Sequence, residues 1–212
     1  MVDISNRTLA LLLVAAVVVS LGSTVVSLNK LDSVSLTGLV TEDATADLEI
    51  EGSIAIEFIV DSMNFGVGFA EDTTSDGQTV CVVASEGTVN ASGSCRNFNI
   101  QPDPFRIRNI GNQIVQLEIA SNATAAQFIT GGGSGFASPD FEYQVRDAES
   151  GSCSGTAQTY TSLTGGGTFQ PGCTAFEFAT ANDELFIDLR LTIPSDASIG
   201  ARSATITAEA TT

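Results

Sequence analysis

The sequence contains no histidine and no tryptophan, and Lys30 is its only lysine. Histidine is the commonest general base and the commonest metal ligand in proteins. Its absence excludes Ser-His-Asp catalysis, Cys-His catalysis and every metal site that depends on imidazole. The carboxylates are spread along loops without a paired arrangement, so the sequence predicts no catalytic residue, no metal site and no cofactor. We therefore expect a protein that is not an enzyme.

Positive charge is also scarce. Eight basic residues stand against 25 acidic ones, which leaves a formal net charge of −17. Nucleic-acid binding needs a basic face that neutralises phosphates, so nucleic acid is excluded as a partner. An acidic surface with almost no lysine stays hydrated and soluble when salt screens its self-repulsion. The charge balance favours a halophilic archaeal protein, and an ordinary acidic secreted protein is the alternative.

A long apolar segment opens the chain, with no charged residue between Arg7 and Lys30. As a helix, the 22 residues between them would span about 33 Å, close to the thickness of the hydrocarbon core of a bilayer. The sequence predicts a long hydrophobic α-helix in domain 1–30. The side chains expected to drive its packing are Leu9, Leu11, Leu12, Leu13, Val14, Val17, Val18, Leu21, Val25 and Leu28.

Three interpretations of this segment remain open: a cleaved secretory signal, a permanent membrane anchor, or the apolar core of a helical filament. The charged region before it carries only Arg7, offset by Asp3, which is weak for a signal peptide. The apolar stretch also resumes after Gly22. We therefore favour a segment that is retained in the mature protein.

After a linker at 31–47, the pattern becomes typical of β-structure over domain 48–212. Apolar residues alternate with polar ones from 48 to 58, which is the period of a half-buried strand. Turn residues separate the later apolar runs, and no second helix is predicted. The sequence predicts a mainly β fold, an antiparallel immunoglobulin-like or jelly-roll sandwich. The predicted strands lie within 45–60, 79–84, 95–100, 105–109, 114–120, 141–146, 175–179, 185–193 and 203–210.

The four cysteines fall in two local pairs. Cys81 and Cys95 bracket one polar loop, and Cys153 and Cys173 bracket another. We interpret them as two disulfides, Cys81–Cys95 and Cys153–Cys173, although four cysteines allow three pairings. A domain outside the cell, where disulfides persist, agrees with this interpretation.

Two sequons for N-glycosylation lie in the β-rich domain, at Asn90 and Asn122, and predict a glycan on each. Acidic loops at 71–77 and 182–184 lack the spacing of a dedicated calcium loop. We interpret these loops as solvated acidic surface.

An apolar helix over Leu9 to Leu28, followed by a Ser/Thr-rich β-sandwich, resembles the archaeal type IV pilins and archaellins. The phrases at 105–112 and 191–200 also resemble edges of immunoglobulin-like or TasA-like surface domains. The first resemblance implies a structural subunit of an extracellular helical filament. Helices would form its core, and β-sandwiches would form its outer surface.

The partners that the resemblance implies are other copies of the same chain, the membrane during biogenesis, and a glycan. The expected location is an extracellular filament or the cell surface. Two alternatives stay open. One is a membrane-anchored cell-surface adhesin. The other is a TasA-like fibre in which a segment such as Val34–Ile50 completes the sheet of a neighbour.

Overall fold

The computed structural model describes residues 7–8, 10–11, 13–20, 48–87, 94–99, 102–154 and 159–212. The chain divides after Glu49, and Ile50–Thr212 forms a compact unit of its own. Within the described residues this unit is mainly β, and its strand pairs are antiparallel. The prediction of a mainly β, antiparallel domain is therefore confirmed.

The described residues contain eleven strands and two short helices. Helix α1 comprises the helical residues within 7–20, and α2 is Ala125–Phe128. The strands are β1 (Ile56–Val60), β2 (Gly66–Ala70), β3 (Val80–Ala84), β4 (Cys95–Phe98), β5 (Phe105–Asn109), β6 (Val115–Ser121), β7 (Asp140–Asp147), β8 (Thr161–Ser162), β9 (Gln170–Phe176), β10 (Glu184–Pro194) and β11 (Ile206–Thr211).

The prediction of a long apolar N-terminal helix is wrong. In domain 1–30, the described helical residues all lie within 7–20, where α1 is short. Apolar character over 22 residues does not by itself specify a helix, because hydropathy and helix propensity are different properties. The sequence at 22–26 reads Gly-Ser-Thr-Val-Val, and all of these residues are poorer helix formers than alanine or leucine. Leu9, Leu12, Leu21, Val25 and Leu28 lie outside the described residues.

Among the described residues, no helix is both long enough and apolar enough to span a bilayer.

Strand β10 organises the largest sheet, whose order is β1-β5-β10-β7-β8. One edge of β10 pairs with β7 from Leu185 to Thr192. The other edge is shared, because β5 pairs with its first part and β3 with its last part. β10 can serve three neighbours because it is the longest strand, with 11 residues.

Two smaller sheets complete the unit. The three-stranded sheet has the order β11-β6-β9, and the two-stranded sheet joins β2 to β4. Gly172 of β9 lies between the two larger sheets, since a Cβ there would stand 2.9 Å from the carbonyl oxygen of Leu117 and 3.3 Å from a methyl of Val145. The two sheets therefore pack together as a β-sandwich.

The core lies between these sheets and follows the two-residue period of the strands. On β10 the odd-numbered apolar residues are buried, and on β7 the same parity points inward. The even-numbered positions of both strands carry charged residues on the opposite face. The largest fully buried apolar side chains are Phe141, Phe176, Ile107, Leu117, Ile119, Leu185 and Ile187.

Helix α2 begins at a capping box. The Thr124 side chain accepts a hydrogen bond from the backbone N–H of Gln127, and the Gln127 side chain accepts one from the N–H of Thr124. This reciprocal pair satisfies two backbone donors that the first helical turn cannot use. Phe128 then reaches the core, where its ring centroid lies 4.9 Å from that of Phe141.

Both predicted disulfides are present, Cys81–Cys95 and Cys153–Cys173. The first links β3 to β4 and so joins the two-stranded sheet to the six-stranded one. The second links the segment after β7 to β9, and thus joins the two sheets of the sandwich. No free cysteine occurs in the chain.

Replacing either cysteine pair with alanine should lower the free energy of unfolding by about 3 kcal/mol, because each bridge restricts the unfolded chain. The paired residues are 14 and 20 positions apart in sequence, so the two losses should be similar. Urea unfolding of the variants C81A/C95A and C153A/C173A at one salt concentration measures them. A loss confined to one pair would contradict the loop-entropy explanation.

Candidate functional site

The outer face of the six-stranded sheet carries a network of ion pairs. Arg106, Arg108, Arg146 and Arg190 project from β5, β7 and β10, and each pairs with a carboxylate. Arg190 binds Glu142 through two bonds, from Nε at 2.6 Å and from Nη2 at 2.7 Å. Bidentate pairs of this kind are among the stronger charge-assisted hydrogen bonds.

Asp188 is the most buried acidic residue of this network, with no exposed surface. Its carboxylate pairs with Arg146 and accepts a hydrogen bond of 2.7 Å from the Ser85 hydroxyl. The Ser85 oxygen in turn accepts the backbone N–H of Leu189 at 3.1 Å. The network ties the end of β3 to the middle of β10.

Aromatic rings cover parts of this charged face. The guanidinium of Arg146 lies 4.4 Å from the ring centroid of Phe186, and that of Arg190 lies 4.1 Å from the ring centroid of Tyr160. Burial, together with the negative charge of Glu86, raises the pKa of the Tyr160 hydroxyl well above its usual value. The tyrosine therefore stays protonated at ordinary pH.

One acid of this face pairs with two arginines. Glu184 is shared by Arg106 and Arg108, and its side chain is almost completely buried. The two guanidinium groups compensate the cost of burying this carboxylate. The ion pairs of this face connect β10 to β5 on one side and to β7 on the other.

The carboxylates of the acidic loop at 71–77 accept hydrogen bonds from other residues of the same loop. Asp72 accepts hydrogen bonds from the backbone N–H groups of Ser75 at 2.9 Å and Gly77 at 3.1 Å. Asp76 accepts one from the Thr74 hydroxyl at 2.6 Å. Across the described residues, no group of three or more cysteine, aspartate or glutamate side chains is arranged to hold a metal ion.

Helix α1 presents an apolar surface to solvent. Its described large apolar residues are between 49% and 71% exposed, and they comprise Leu11, Leu13, Val14, Val17, Val18 and Val19. Every described residue from 13 to 20 is exposed, so the apolar surface surrounds the helix. A helix that is apolar on all sides requires burial in lipid or against other protein. We refer to these six side chains as the α1 surface.

A second apolar surface is a groove in the β unit, with a volume of about 790 Å³. Its base is formed by core side chains that are at most 9% exposed, chiefly Leu189, Leu191 and Ile193 of β10 and Phe141 of β7. One wall is formed by residues 63–70, which include β2, and the other by residues 195–204. We refer to this feature as the β2 groove.

The second wall is fixed at its start by Asp196. The carboxylate accepts the backbone N–H of Gly132 at 2.8 Å and that of Gly133 at 2.9 Å. Both glycines lie in the loop before β7, and Gly132 has a φ of +73°, which only glycine adopts without strain. Asp196 therefore fastens the wall of the β2 groove to a neighbouring loop.

Acidification should break the hydrogen bonds that Gly132 and Gly133 donate to Asp196. The hydrogen bonds from Gly133 and Gly132 lower the pKa of Asp196 below its ordinary value of 3.8. A lowered pKa means that the carboxylate stabilises the fold above its unfolded pKa, and that the stabilisation is lost as the pH falls through the folded pKa. The amide resonances of Gly132 and Gly133 should shift together below about pH 3.8. The shift should be absent in Asp196→Asn, and a midpoint above pH 5 would contradict the assignment.

The residues expected from the sequence do not meet at one site. The cysteines form the two disulfides, and Asn90 lies outside the described residues. Asn122 is exposed at the end of β6, where its side-chain oxygen accepts the backbone N–H of Thr205 at 2.8 Å. Glycosylation at both asparagines stays a prediction.

Sequence reasoning missed the β2 groove, because its lining comes from segments that are far apart in the chain. One local signal was present. Val67 lies between two glycines and Ile199 precedes one, and both apolar side chains are exposed. Both side chains belong to the walls of the β2 groove.

No protein-family model, curated protein or solved structure matches this chain.

Proposed function

We propose that the protein is a structural subunit of an extracellular filament, built from many copies of this chain. The observation that carries the proposal is the α1 surface, where large apolar side chains surround a short helix and all are exposed. Covering such a surface removes apolar area from water at about 25 cal/mol per Å². Association with other copies supplies that cover without another component.

Two features of the β unit support the proposal. Its two disulfides indicate an oxidising environment. Its paired carboxylates and arginines stabilise strands, which suits a structural role better than a catalytic one. The net charge of −17 keeps the outer surface of an assembly hydrated.

Salt should promote assembly. Subunits that each carry −17 repel one another, and at 1 M salt the screening length falls to about 3 Å. Apolar contacts are not weakened by screening. Filaments should therefore be abundant in molar sodium chloride and should come apart on dilution.

The test is to shear cells that produce the full chain in molar salt, sediment the released material and image it by electron microscopy. Helical filaments in the detergent-resistant pellet are the expected result. Recovery of the protein only with membranes, until detergent is added, would instead favour an anchored surface protein. Monodisperse monomers at every salt concentration would also overturn the proposal.

A further inference from the structure

Several sheet edges in the described part of the chain are protected against pairing with a further strand. The pairing of β1 with β5 is irregular, and β8 has only two residues. The pairing of β2 with β4 is irregular too. β9 contains Pro171, and residues 152–154 lie along its outer side, where the N–H of Ser154 donates to the carbonyl of Ala175 at 3.0 Å. Irregular pairing, proline, short strands and covering segments all keep sheet edges from pairing.

β11 is a sheet edge that lacks these protections. It pairs with β6 over the six residues Ile206–Thr211 in one unbroken register. It contains neither proline nor lysine. In the described part of the chain, β6 is the one strand that pairs with it. A regular edge of this kind is able to accept a further strand.

The hydrogen bonds of the ladder show which backbone groups of β11 point outward. The N–H of Asn122 donates to the carbonyl of Thr205 at 3.1 Å, which continues the register of β6 and β11. In an antiparallel ladder such hydrogen-bonded positions recur at every second residue, so Thr207, Glu209 and Thr211 direct their backbone groups toward β6. The residues between them direct their N–H and C=O groups away from β6, and these residues are Ile206, Ala208 and Ala210.

The side chains of β11 alternate in the same way. Ile206, Ala208 and Ala210 are half-buried and pack against the core, whereas Thr207 and Glu209 are exposed. A strand added beside β11 has to place its apolar residues on the core side and its polar residues on the solvent side. β11 itself has this pattern, so the same strand of a second copy fits the edge.

We propose that β11 pairs antiparallel with β11 of a second copy of this chain, about a two-fold axis at Ala208. In this register Ala208 lies opposite the partner's Ala208, and Ile206 lies opposite the partner's Ala210. The facing residues exchange backbone hydrogen bonds through the groups that β6 does not use. The three-stranded sheets of the two copies then become one continuous sheet.

The charge of Glu209 favours this register over its neighbours. Glu209 stands opposite the partner's Thr207 on the solvent face. Moving one copy by two residues would set the two Glu209 carboxylates opposite each other, and like charges in that position are destabilising. Moving it by two residues the other way would set Ala210 opposite the partner's Ala204, which lies outside the strand. A shift by one residue would turn the apolar side chains of the partner toward solvent.

This inference goes beyond the filament function. A two-fold contact uses the same surface on both copies and therefore closes at two subunits. In the filament proposed above, contacts of the α1 surface extend the fibre. The β11 contact joins subunits in pairs, within one fibre or between neighbouring fibres.

Cysteine cross-linking of the full chain tests the pairing. No native cysteine is free, so Thr207→Cys in one preparation and Glu209→Cys in another supply the reactive thiols. Facing residues that exchange no hydrogen bonds have Cα atoms about 4.5 Å apart, which a disulfide can span. The two variants are mixed at low salt and then oxidised mildly in molar salt. A non-reducing gel should show at least tenfold more dimer from the mixture than from either variant alone, because two copies of one variant hold their thiols diagonally.

The matched control mixes Thr207→Cys with Ser203→Cys. Ser203 is exposed and lies just before β11, so its thiol has no facing position in the proposed pairing. This mixture should give no more dimer than the single variants give.

Ala208→Pro provides a second readout. It removes an N–H that points away from β6, so it eliminates pairing at the two-fold axis and keeps the hydrogen bonds between β11 and β6. Introduced into both cysteine variants, it should reduce the cross-linked dimer at least tenfold. Ser203→Pro, which places the same residue outside the strand, should not. Circular dichroism should show a folded β unit in both proline variants.

The outcomes separate this pairing from the filament function. Dimer formed as readily by one single variant as by the mixture places the axis at another residue and overturns the Ala208 register. Absence of dimer from the mixture, or dimer that persists with Ala208→Pro, overturns β11 pairing, and filaments would still support the function proposed above. Cross-linked dimers from a chain that never forms filaments overturn the function and leave the pairing standing.

Discussion

Replacing Asp188 with alanine is expected to lower the free energy of unfolding by about 3 kcal/mol, at the lower end of the range for a broken buried ion pair. Asp188 is fully buried, and its loss leaves the guanidinium of Arg146 and the hydroxyl of Ser85 without their acceptor. The effect stays at the lower end because the Arg146 side chain is 40% exposed and can turn toward water.

The matched control is Glu71→Ala. Glu71 pairs with Arg96, but both side chains are nearly half exposed, and such surface pairs contribute at most about 1 kcal/mol. Urea unfolding at constant salt compares the two variants. Equal losses would contradict the role of Asp188 as the buried acceptor for Arg146 and Ser85.

Replacing Val17 with aspartate is expected to abolish filament assembly at every salt concentration. Val17 belongs to the α1 surface, and an unpaired carboxylate buried against apolar neighbours costs several kcal/mol. Screening does not remove this penalty, because the penalty arises from desolvation. Sedimentation in a series of sodium chloride concentrations, with imaging of the pellet, measures the result.

Thr8→Asp serves as the control for this variant. It adds the same charge to the same helix at an exposed polar position outside the α1 surface. We expect normal filaments from Thr8→Asp in molar salt. Normal filaments from Val17→Asp would show that α1 takes no part in assembly.

Strands whose apolar residues alternate were the most predictable part of the fold. The predicted strand at 105–109 coincides with β5, and that at 185–193 lies within β10. Every second side chain of these segments is buried in the sandwich core, so the alternation in the sequence reflects the packing. The charged residues on the opposite face also reflect the pairing of strands, because Arg190 of β10 and Glu142 of β7 lie opposite each other.

Elements without that alternation were missed. β2 reads Gly-Val-Gly-Phe-Ala and β8 has only two residues, so neither produces a periodic signal. β9 contains Pro171 and Gly172 near its start, two residues that are rare inside strands, and the predicted strand at 175–179 overlaps only its last two residues. The capping box at Thr124 was a legible signal for α2 that the strand-dominated interpretation overlooked.

The prediction of a long N-terminal helix was wrong for a different reason. Apolar composition identified a segment that avoids water, but it does not determine the length of a helix. The β2 groove could not be predicted, because residues 63–70 and 195–204 are far apart in the chain and come together only through the packing of the domain.

The position of β10 in the chain determines when the domain can fold. β3, β5 and β7 each pair with β10, which ends at Pro194, near the C-terminus. While the chain is being made or exported, these three strands exist before the strand that joins them. The large sheet therefore assembles only after β10 has emerged, and its closure depends on contacts between distant residues, which form slowly. A chain that stops before Glu184 would leave three apolar strands without their common neighbour, exposed to aggregation.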